Sequence, residues 1–520
     1  MTGESRRLAV ALVATLSLAP AARPQDRPSL ELSMDEAVER ALKNNADLAV
    51  QRYEPELSKE DERAAKGAYD VFLNARVDKN SATDPARNAF TGGDKVETDT
   101  WTWNFGGQQL LKTGGVVRVD FNNNEVDTNN VFANFNPTYG SSFNLALTQP
   151  LLRDRSIDLS RQQLKVTKNN REISDTDFRE TVINTVATVK KAYYDVIAAI
   201  DNLEAQRKSL SLAQKLLEEN RIKVRVGTLA PLDVVQAESE VAGREEGVIN
   251  AETLLAAAED NIKQAILPQN DPQAWALRIL PSDRPSADPR SVDTEAAIQN
   301  ALANRTDVAV ARKSIDTTDV NLRFAKSQTL PTLDLVAAYG TTGIGGTQLV
   351  RDGLGGPVID TIPGGYGDAV NDVFGNDFPT WTLGVNVAYP LFNRTARANQ
   401  ARARLSKDQA LANLNRLELQ VVAEVRSAGR NVEANYKRVE STRAARVLQE
   451  RRLDAEEKKF AAGMSTNFLV TQAQRDLADA SVAEIRAILD YRKSLIEFER
   501  VQEAGSVAIS LVNVSTATSR

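Results

Sequence analysis

The residue types that most enzymes use for acid–base, nucleophilic or metal chemistry are sparse in this chain of 520 residues. It contains no Cys and no His. Thiolate metal sites and thiol catalysis are therefore excluded, and the commonest general base and transition-metal ligand are missing. The adjacent carboxylates Glu245-Glu246 and Glu456-Glu457 are interpreted as solvated helix faces. With no phosphate-binding glycine loop, nucleophile elbow or metal-ligand spacing, the sequence predicts no enzyme, no cofactor and no metal site.

One carboxylate, Asp233, follows a distinctive segment, RVGTLAPL. Gly227 suits the left-handed residue that closes a helix, and Pro231 suits the first turn of the next helix. We therefore predict a tight turn between two antiparallel helices. In the first turn of the second helix, the charge of Asp233 complements the positive end of the helix dipole.

The helix before this turn carries a heptad seam. Apolar residues recur at every seventh position: Val182, Val189, Val196, Leu203, Leu210, Leu217 and Val224. After Ile200, polar residues replace the second apolar position of each heptad. This pattern predicts a helix of roughly 70 residues, about 105 Å long, with one narrow buried stripe and one wet face. Such a helix is expected to line a larger structure.

Other segments alternate with a period of two, as strands with one apolar face do. The alternating runs lie at Leu73–Val77, Trp101–Phe105, Val117–Phe121 and Phe143–Leu147. The second and third runs flank a turn signal and predict a hairpin. Its aromatic residues have two interpretations: a girdle at a membrane interface, or an extracellular hairpin that packs on itself.

The two halves of the chain resemble each other. Residues 34–52 align without gaps on 294–312, 145–152 on 385–392, and 227–241 on 463–477. The three matches keep one order, which indicates a duplicated unit of roughly 240–260 residues. The second copy is 20 residues shorter before its final strand. The Trp101–Phe121 hairpin is the best candidate for the extra piece, and its lack of a counterpart favours the extracellular interpretation.

These patterns define the expected organisation. A basic start, an apolar run and an A-x-A site predict a signal peptide cleaved near Ala21 or Ala22. The predicted segments are a signal peptide (1–22), a first repeat (23–280), a linker (281–292), a second repeat (293–503) and a flexible tail (504–520). The first repeat contains a helix, strands within 69–149 and long helices 151–226 and 231–266. The second repeat contains a helix, strands within 331–389 and long helices 393–462 and 465–503.

Each repeat thus offers two membrane-length strands, besides the hairpin, and two long helices. Two or three strands cannot span a bilayer, because open edges leave backbone groups unsatisfied in hydrocarbon. Four strands still fall short of the smallest barrels of about eight strands. Closure therefore requires several subunits. The net charge of −6 and the pI near 5.3 argue against nucleic acid as a partner.

The tandem repeat, the order of strand, proline, long helix, glycine turn and helix, and the segments 194–241 and 458–480 resemble the TolC family of outer-membrane efflux proteins. The resemblance implies an α+β membrane protein: a homotrimeric β-barrel of 12 strands, four from each subunit, continuous with a periplasmic α-helical barrel. It places the protein in the outer membrane, extending into the periplasm and surrounded by outer-membrane lipid. The implied partners are a periplasmic adaptor (membrane fusion) protein and an inner-membrane pump. The implied function is a passive exit duct in a tripartite efflux or type I secretion system.

In this family the helix–turn–helix tips form the periplasmic entrance, closed by polar links and aspartate rings. Asp233 matches an aspartate of such links, while the two ring-aspartate positions fall on Leu469 and Gln472. The remaining matched positions are the turn glycines Gly227 and Gly463, Ser465 at the basic linking position, and Phe460 at the tyrosine position. We therefore expect Phe460, Leu469 and Phe468 to form a more apolar constriction, with Asp233 either a gate residue or a helix cap.

The competing interpretation is a periplasmic or surface coiled-coil structural protein without channel activity. It accounts for the helices and the predicted signal peptide. It leaves the alternating strands and the prolines that end them unexplained. Small-molecule efflux and protein secretion are not distinguished by the sequence.

Overall fold

The computed structural model describes residues 28–85, 94–268, 271–283, 288–353 and 355–502. The predicted signal peptide and flexible tail lie outside these residues, and the predicted linker lies partly outside them. The chain forms two compact units: one contains Met1–Ala46, Thr188–Asp288 and Tyr436–Lys493, and the other contains Asp47–Ala187, Pro289–Asn435 and Ser494–Arg520. Each unit therefore draws on both halves of the sequence.

The helices and strands follow one another in an order that repeats. The first half contains β1 (Ser29–Leu32), α1 (Met34–Asn44), α2 (Ala46–Gln51), α3 (Tyr53–Lys66), β2 (Phe72–Pro85), β3 (Lys95–Leu110), β4 (Val116–Thr128), β5 (Phe135–Pro150), α4 (Leu159–Arg225) and α5 (Pro231–Ile266). The second half contains β6 (Arg278–Pro281), α6 (Thr294–Asn304), α7 (Thr306–Ser327), β7 (Thr332–Arg351), β8 (Val358–Ile362), α8 (Tyr366–Gly375), β9 (Pro379–Ala388), α9 (Arg394–Ala461) and α10 (Asn467–Gln502).

The long helices of the two halves match in length. α4 and α9 have 67 and 68 residues, and α5 and α10 have 36 residues each. The short helices match in their caps: the side chain of Ser33 accepts a hydrogen bond at the start of α1, and Asp293 does the same at the start of α6. These positions are 260 residues apart, which is the offset of the first sequence match. Strands β1 and β6 pair in parallel.

Most of the heptad seam of α4 is buried in the structure. Val189 and Val196 have no exposed surface, whereas Leu210 and Val224 are partly exposed. Val425 of α9 is also completely buried. The start of α4 differs from the sequence prediction, because strand β5 continues to Pro150 and the helix begins at Leu159, not at 151. Asp154 adopts a left-handed conformation at φ 61°, which a helix cannot contain. The Asp158 carboxylate then accepts a hydrogen bond from the Arg161 N–H at 2.7 Å, which caps the new helix.

The second unit is built around one antiparallel sheet. Its strand order is β2-β3-β4-β5-β7, with β8 and β9 pairing different parts of β7. The predicted hairpin is therefore part of the sheet: β3 pairs with β2, and β4 pairs with β5. The expectation that it packs on itself away from the other strands is wrong. Among the described residues the sheet contains six long strands, two more than the four per subunit that the resemblance implies for the barrel.

Helix α8 packs on one face of this sheet. Its Ala369 and Val373 are buried. The Asp372 carboxylate accepts a hydrogen bond from the Ile344 N–H of β7 at 3.2 Å. Because β8 and β9 leave the middle of this β7 edge unpaired, α8 supplies a partner for its backbone. None of the described helices combines the length and the apolar character that a membrane-spanning helix needs.

Candidate functional site

The predicted helix–turn–helix tips lie at the junctions of α4 with α5 and of α9 with α10. Gly227 and Gly463 both adopt φ +75°, where glycine is favoured because a Cβ would crowd the backbone. The Thr228 N–H donates to the Lys223 carbonyl at 2.9 Å, and the Met464 N–H donates to the Lys459 carbonyl at 2.8 Å. Both turns therefore end their helix with the same backbone motif. Both glycines therefore have a structural role, which is to allow the left-handed backbone conformation of the turn.

Asp233 lies in the first turn of α5, two residues after Pro231. Its N–H donates to the Ala230 carbonyl at 3.0 Å, and its carbonyl accepts a hydrogen bond from Asn467 Nδ2 at 3.4 Å. Among the described residues, no side chain forms a hydrogen bond or ion pair with its carboxylate. The position fits a charge that complements the helix dipole and leaves the carboxylate available to other groups.

The other tip holds the remaining predicted site residues. Ser465 donates from Oγ to Glu456 Oε2 at 2.8 Å. Gln472 donates from Nε2 to Asp476 Oδ1 at 2.7 Å. Leu469 lies in the first turn of α10 and is 42% exposed. Ser465 and Gln472 are thus held by acidic neighbours of their own tip, whereas Leu469 presents apolar surface to solvent.

Phe460 occupies a different environment from the other tip residues. Its side chain is only 7% exposed. It belongs to a buried cluster with Leu216, Leu453, Val470 and Ala473. The ammonium of Lys223 lies 3.4 Å from the centre of its ring, a cation–π contact that fixes α4 against α9. Phe460 therefore faces the interior of the helix cluster, and the expected apolar constriction retains only Leu469 and Phe468 as exposed members.

A buried polar contact at these tips was missed by sequence reasoning. Asn220 of α4 and Asn467 of α10 are both almost completely buried. Asn220 Nδ2 donates to Asn467 Oδ1 at 2.8 Å. Through its own amide, Asn467 also reaches the carbonyl of Asp233. Three helices are therefore joined by one pair of amides that lie 247 residues apart, and no local sequence signal reveals such a pair.

A buried carboxylate forms a second link between α5 and α10. Glu240 accepts a hydrogen bond from Arg475 Nε at 2.9 Å and pairs with Arg244 at 2.8 Å. Burial alone would raise the pKa of Glu240, but the two guanidinium groups outweigh it, so the pKa lies below its ordinary value. The carboxylate stays ionised at neutral pH and ties the two helices together. The sequence patterns did not single out this residue.

The sheet of the second unit offers another functional surface, because its two faces differ. Facing residues along one cross-strand row are Leu73, Gly107, Val119, Leu145, Tyr339 and Trp381. The neighbouring row on the opposite face contains Asn74, Gly106, Asp120, Asn144, Gly340 and Thr380. Leu73, Trp381 and Leu383 are each more than two-thirds exposed. A solvent-exposed apolar face of this extent needs an apolar environment or a partner.

Among the described residues, no group of three or more Asp or Glu side chains is arranged to hold a metal ion. Glu240 and Arg475 form an ion pair between α5 and α10. The chemistry of both surfaces is that of packing and electrostatics, which suits a structure that forms a passage.

Comparison with known proteins gives the same picture. The model of the family described as "Outer membrane efflux protein" matches residues 37–266 and 297–501. The outer membrane protein TolC of Vibrio cholerae is 26% identical over 335 residues, which cover 63% of this chain and 69% of that protein. TolC of Escherichia coli is 23% identical over 375 residues, with 71% and 70% coverage.

Solved structures share the fold at lower identity. The outer-membrane channel OprN aligns with a TM-score of 0.64 at 15% identity, covering 93% of this chain and 95% of that one. The CmeC channel of Campylobacter jejuni aligns with a TM-score of 0.60 at 16% identity, covering 91% and 86%. Because the family match spans both halves and includes the long helices with their turns, this chain belongs to the outer membrane efflux protein family and is an outer-membrane exit channel that extends into the periplasm.

Proposed function

We propose that three copies of this chain assemble into one passive duct. The sheets of the three subunits close into a β-barrel in the outer membrane, and the long helices form a periplasmic α-helical barrel. The observation that most directly supports this proposal is the structure of the sheet. It has one continuous apolar face and one polar face, and the outer edges of β2 and β9 pair with no strand among the described residues. Closure with neighbouring copies satisfies those edges.

The two faces then have separate environments. The part of the apolar face that α8 does not cover, with Leu73, Val385 and Leu383 exposed, contacts outer-membrane lipid. The polar face, with Asn74, Asp120 and Asn144, lines an aqueous lumen. In this arrangement the protein carries out no chemistry, and the direction of transport comes from its partners.

The proposed partners are a periplasmic adaptor (membrane fusion) protein and an inner-membrane pump. Cargo enters at the helix tips, leaves through the barrel, and is either a small molecule or an exported protein. The two repeats, 23–280 and 293–503, contribute equivalent helix pairs to the periplasmic barrel. The predicted segment 281–292 links them.

At the periplasmic entrance, Asp233 and Leu469 are the proposed gate residues. The carboxylate of Asp233 is available to a neighbouring subunit, and Leu469 with Phe468 narrows the opening with apolar surface. An apolar constriction resists ion passage because water leaves it readily. This gate differs in chemistry from one built on rings of aspartate.

Electron microscopy of particles extracted from the outer membrane in mild detergent tests the proposal. We expect three subunits and a long tube joined to a barrel. A mature chain that stays soluble without detergent, as a monomer or an elongated dimer without a barrel, would overturn the channel and favour the coiled-coil structural protein. Mass measured in the same sample gives the subunit count independently of the image.

A further inference from the structure

The first repeat contributes more strands to the sheet than the second. In the second repeat, β7 and β9 pair directly, from Thr332 opposite Ala388 to Thr341 opposite Pro379. By sequence alignment of the repeats, β2 corresponds to β7 and β5 to β9. In the first repeat, however, β3 and β4 lie between β2 and β5. A complete hairpin has thus been inserted between two strands that the repeat symmetry makes neighbours.

The hairpin is paired along nearly its whole length. β2 and β3 stay in one register from Phe72 opposite Gln108 to Pro85 opposite Lys95. β4 and β5 stay in one register from Val116 opposite Thr148 to Val126 opposite Thr138. Since a slip of one residue would exchange the two faces, this shared register keeps the apolar face continuous across all six long strands.

Helix α8, which belongs to the second repeat, also contacts the hairpin. The Tyr366 ring packs edge-on against Trp103 of β3, with centroids 5.2 Å apart. Its hydroxyl donates to Asn123 Oδ1 of β4 at 2.9 Å. Phe374 lies 6.3 Å from Phe121 of β4, measured between ring centroids. A segment distant in sequence therefore holds both hairpin strands in the sheet.

We propose that the barrel of this protein has 18 strands, three subunits times six, and not 12. This inference rests on the trimer of the proposed function. Strand directions alternate from β2 through β9, so β9 of one subunit runs antiparallel to β2 of the next, and the ring closes without a parallel pair. Their apolar residues, Val385 of β9 and Ala75 of β2, fall on the same face.

The consequence is a wider passage through the outer membrane. With strands about 4.8 Å apart and tilted by about 40°, 18 strands give a backbone diameter of about 36 Å, against about 24 Å for 12 strands. Barrels of 16–18 strands leave an open aqueous channel. With a polar lining, this bore suits bulky hydrophilic cargo, such as an exported polypeptide, at the outer-membrane end of the duct.

Disulfide mapping tests whether the hairpin lies within the barrel wall. Because the chain contains no Cys, each introduced pair supplies the only two thiols of its subunit. Val119→Cys with Leu145→Cys joins facing residues of β4 and β5, and we expect an intramolecular disulfide in the membrane-embedded protein. The matched control is Leu73→Cys with Leu147→Cys, the pair that would face each other if β2 and β5 paired as β7 and β9 do. Three strand spacings, roughly 14 Å, separate that pair, so no disulfide is expected.

The reverse pattern, with the control pair bonded and the test pair reduced, would overturn the inference, because β2 would then lie beside β5. Electron microscopy of the unmodified protein counts the strands directly. A trimer with 18 strands supports both proposals, and a trimer with 12 overturns only the wider barrel. A particle that is not a trimer overturns the proposed assembly and the count of 18, while the disulfide pattern still decides whether each subunit contributes six strands.

Discussion

Replacing Phe460 by Ala should loosen the helix tips. The ring is 7% exposed and packs among Leu216, Leu453 and Val470. Removing a buried phenylalanine ring costs about 3–5 kcal/mol in protein cores. Loss of the Lys223 contact, 3.4 Å from the ring, adds about 0.5–1 kcal/mol. The chain offers a matched control at the same tip, because Phe468 is 57% exposed and its replacement by Ala should cost about 0.5 kcal/mol or less.

Hydrogen exchange of peptides from 212–240 and 449–477, measured by mass spectrometry on the detergent-purified protein, reports local opening of this region. Since each 1.4 kcal/mol is a factor of ten, a combined loss of about 3.5–6 kcal/mol in Phe460→Ala should speed exchange of the most protected amides by roughly 300-fold to 20,000-fold. Phe460→Leu, which keeps most of the volume, should cost less than about 1.5 kcal/mol.

Equal changes in exchange for Phe460→Ala and Phe468→Ala would refute the reasoning. Such a result would mean that Phe460 is not held inside the helix cluster, or that Phe468 is buried to the same extent in the assembled protein. A change confined to Phe468→Ala would restore Phe468 as the main apolar contact of the tip. In either case the assignment of interior and exposed sides at this tip would have to be reversed or abandoned.

Four further variants test the tips. Leu469→Asp should raise the cation preference of single channels in planar bilayers, because it adds a carboxylate from each subunit at the entrance; unchanged conductance and selectivity would contradict the proposed constriction. Glu240→Gln should cost about 1.5–3 kcal/mol, because its hydrogen bonds to Arg475 lose their charge. Since folding lowers the pKa of Glu240, the stability that this carboxylate contributes should be complete above its ordinary pKa of 4.5 and should disappear as the pH falls through the lower folded value. Hydrogen exchange of the tip, measured at several pH values, can show this loss. A parent protein with the same pH response as Glu240→Gln would contradict the contribution of the ionised carboxylate. Gly227→Ala should destabilise its turn by about 1–2 kcal/mol because of the positive φ, whereas Gly243→Ala, inside α5 with open space around it, should stabilise the helix by about 0.5–1 kcal/mol. Limited proteolysis at the turn should therefore be faster than in the parent protein for Gly227→Ala and slower for Gly243→Ala. Equal cleavage rates in the two variants would contradict the structural role given to Gly227.

The sheet shows where prediction from sequence reached its limit. Alternation identified each strand of the hairpin, including Trp101–Phe105 and Val117–Phe121, because a period of two depends only on residues within one strand. It did not reveal that β3 lies beside β2 and β4 beside β5. That arrangement depends on backbone hydrogen bonds between separate strands and on the packing of α8, which is supplied by a segment more than 230 residues further along the chain.

The tips show the same division between local and distant causes. The heptad seam and the turn glycines Gly227 and Gly463 follow from side-chain spacing and from φ preferences of single residues, so the sequence by itself determined the long helices and their turns. Only the tertiary structure decided that Phe460 faces inward and that Asn220 meets Asn467. Those outcomes depend on the rotation of each helix relative to its neighbours, which is decided by burying side chains from segments far apart in the chain.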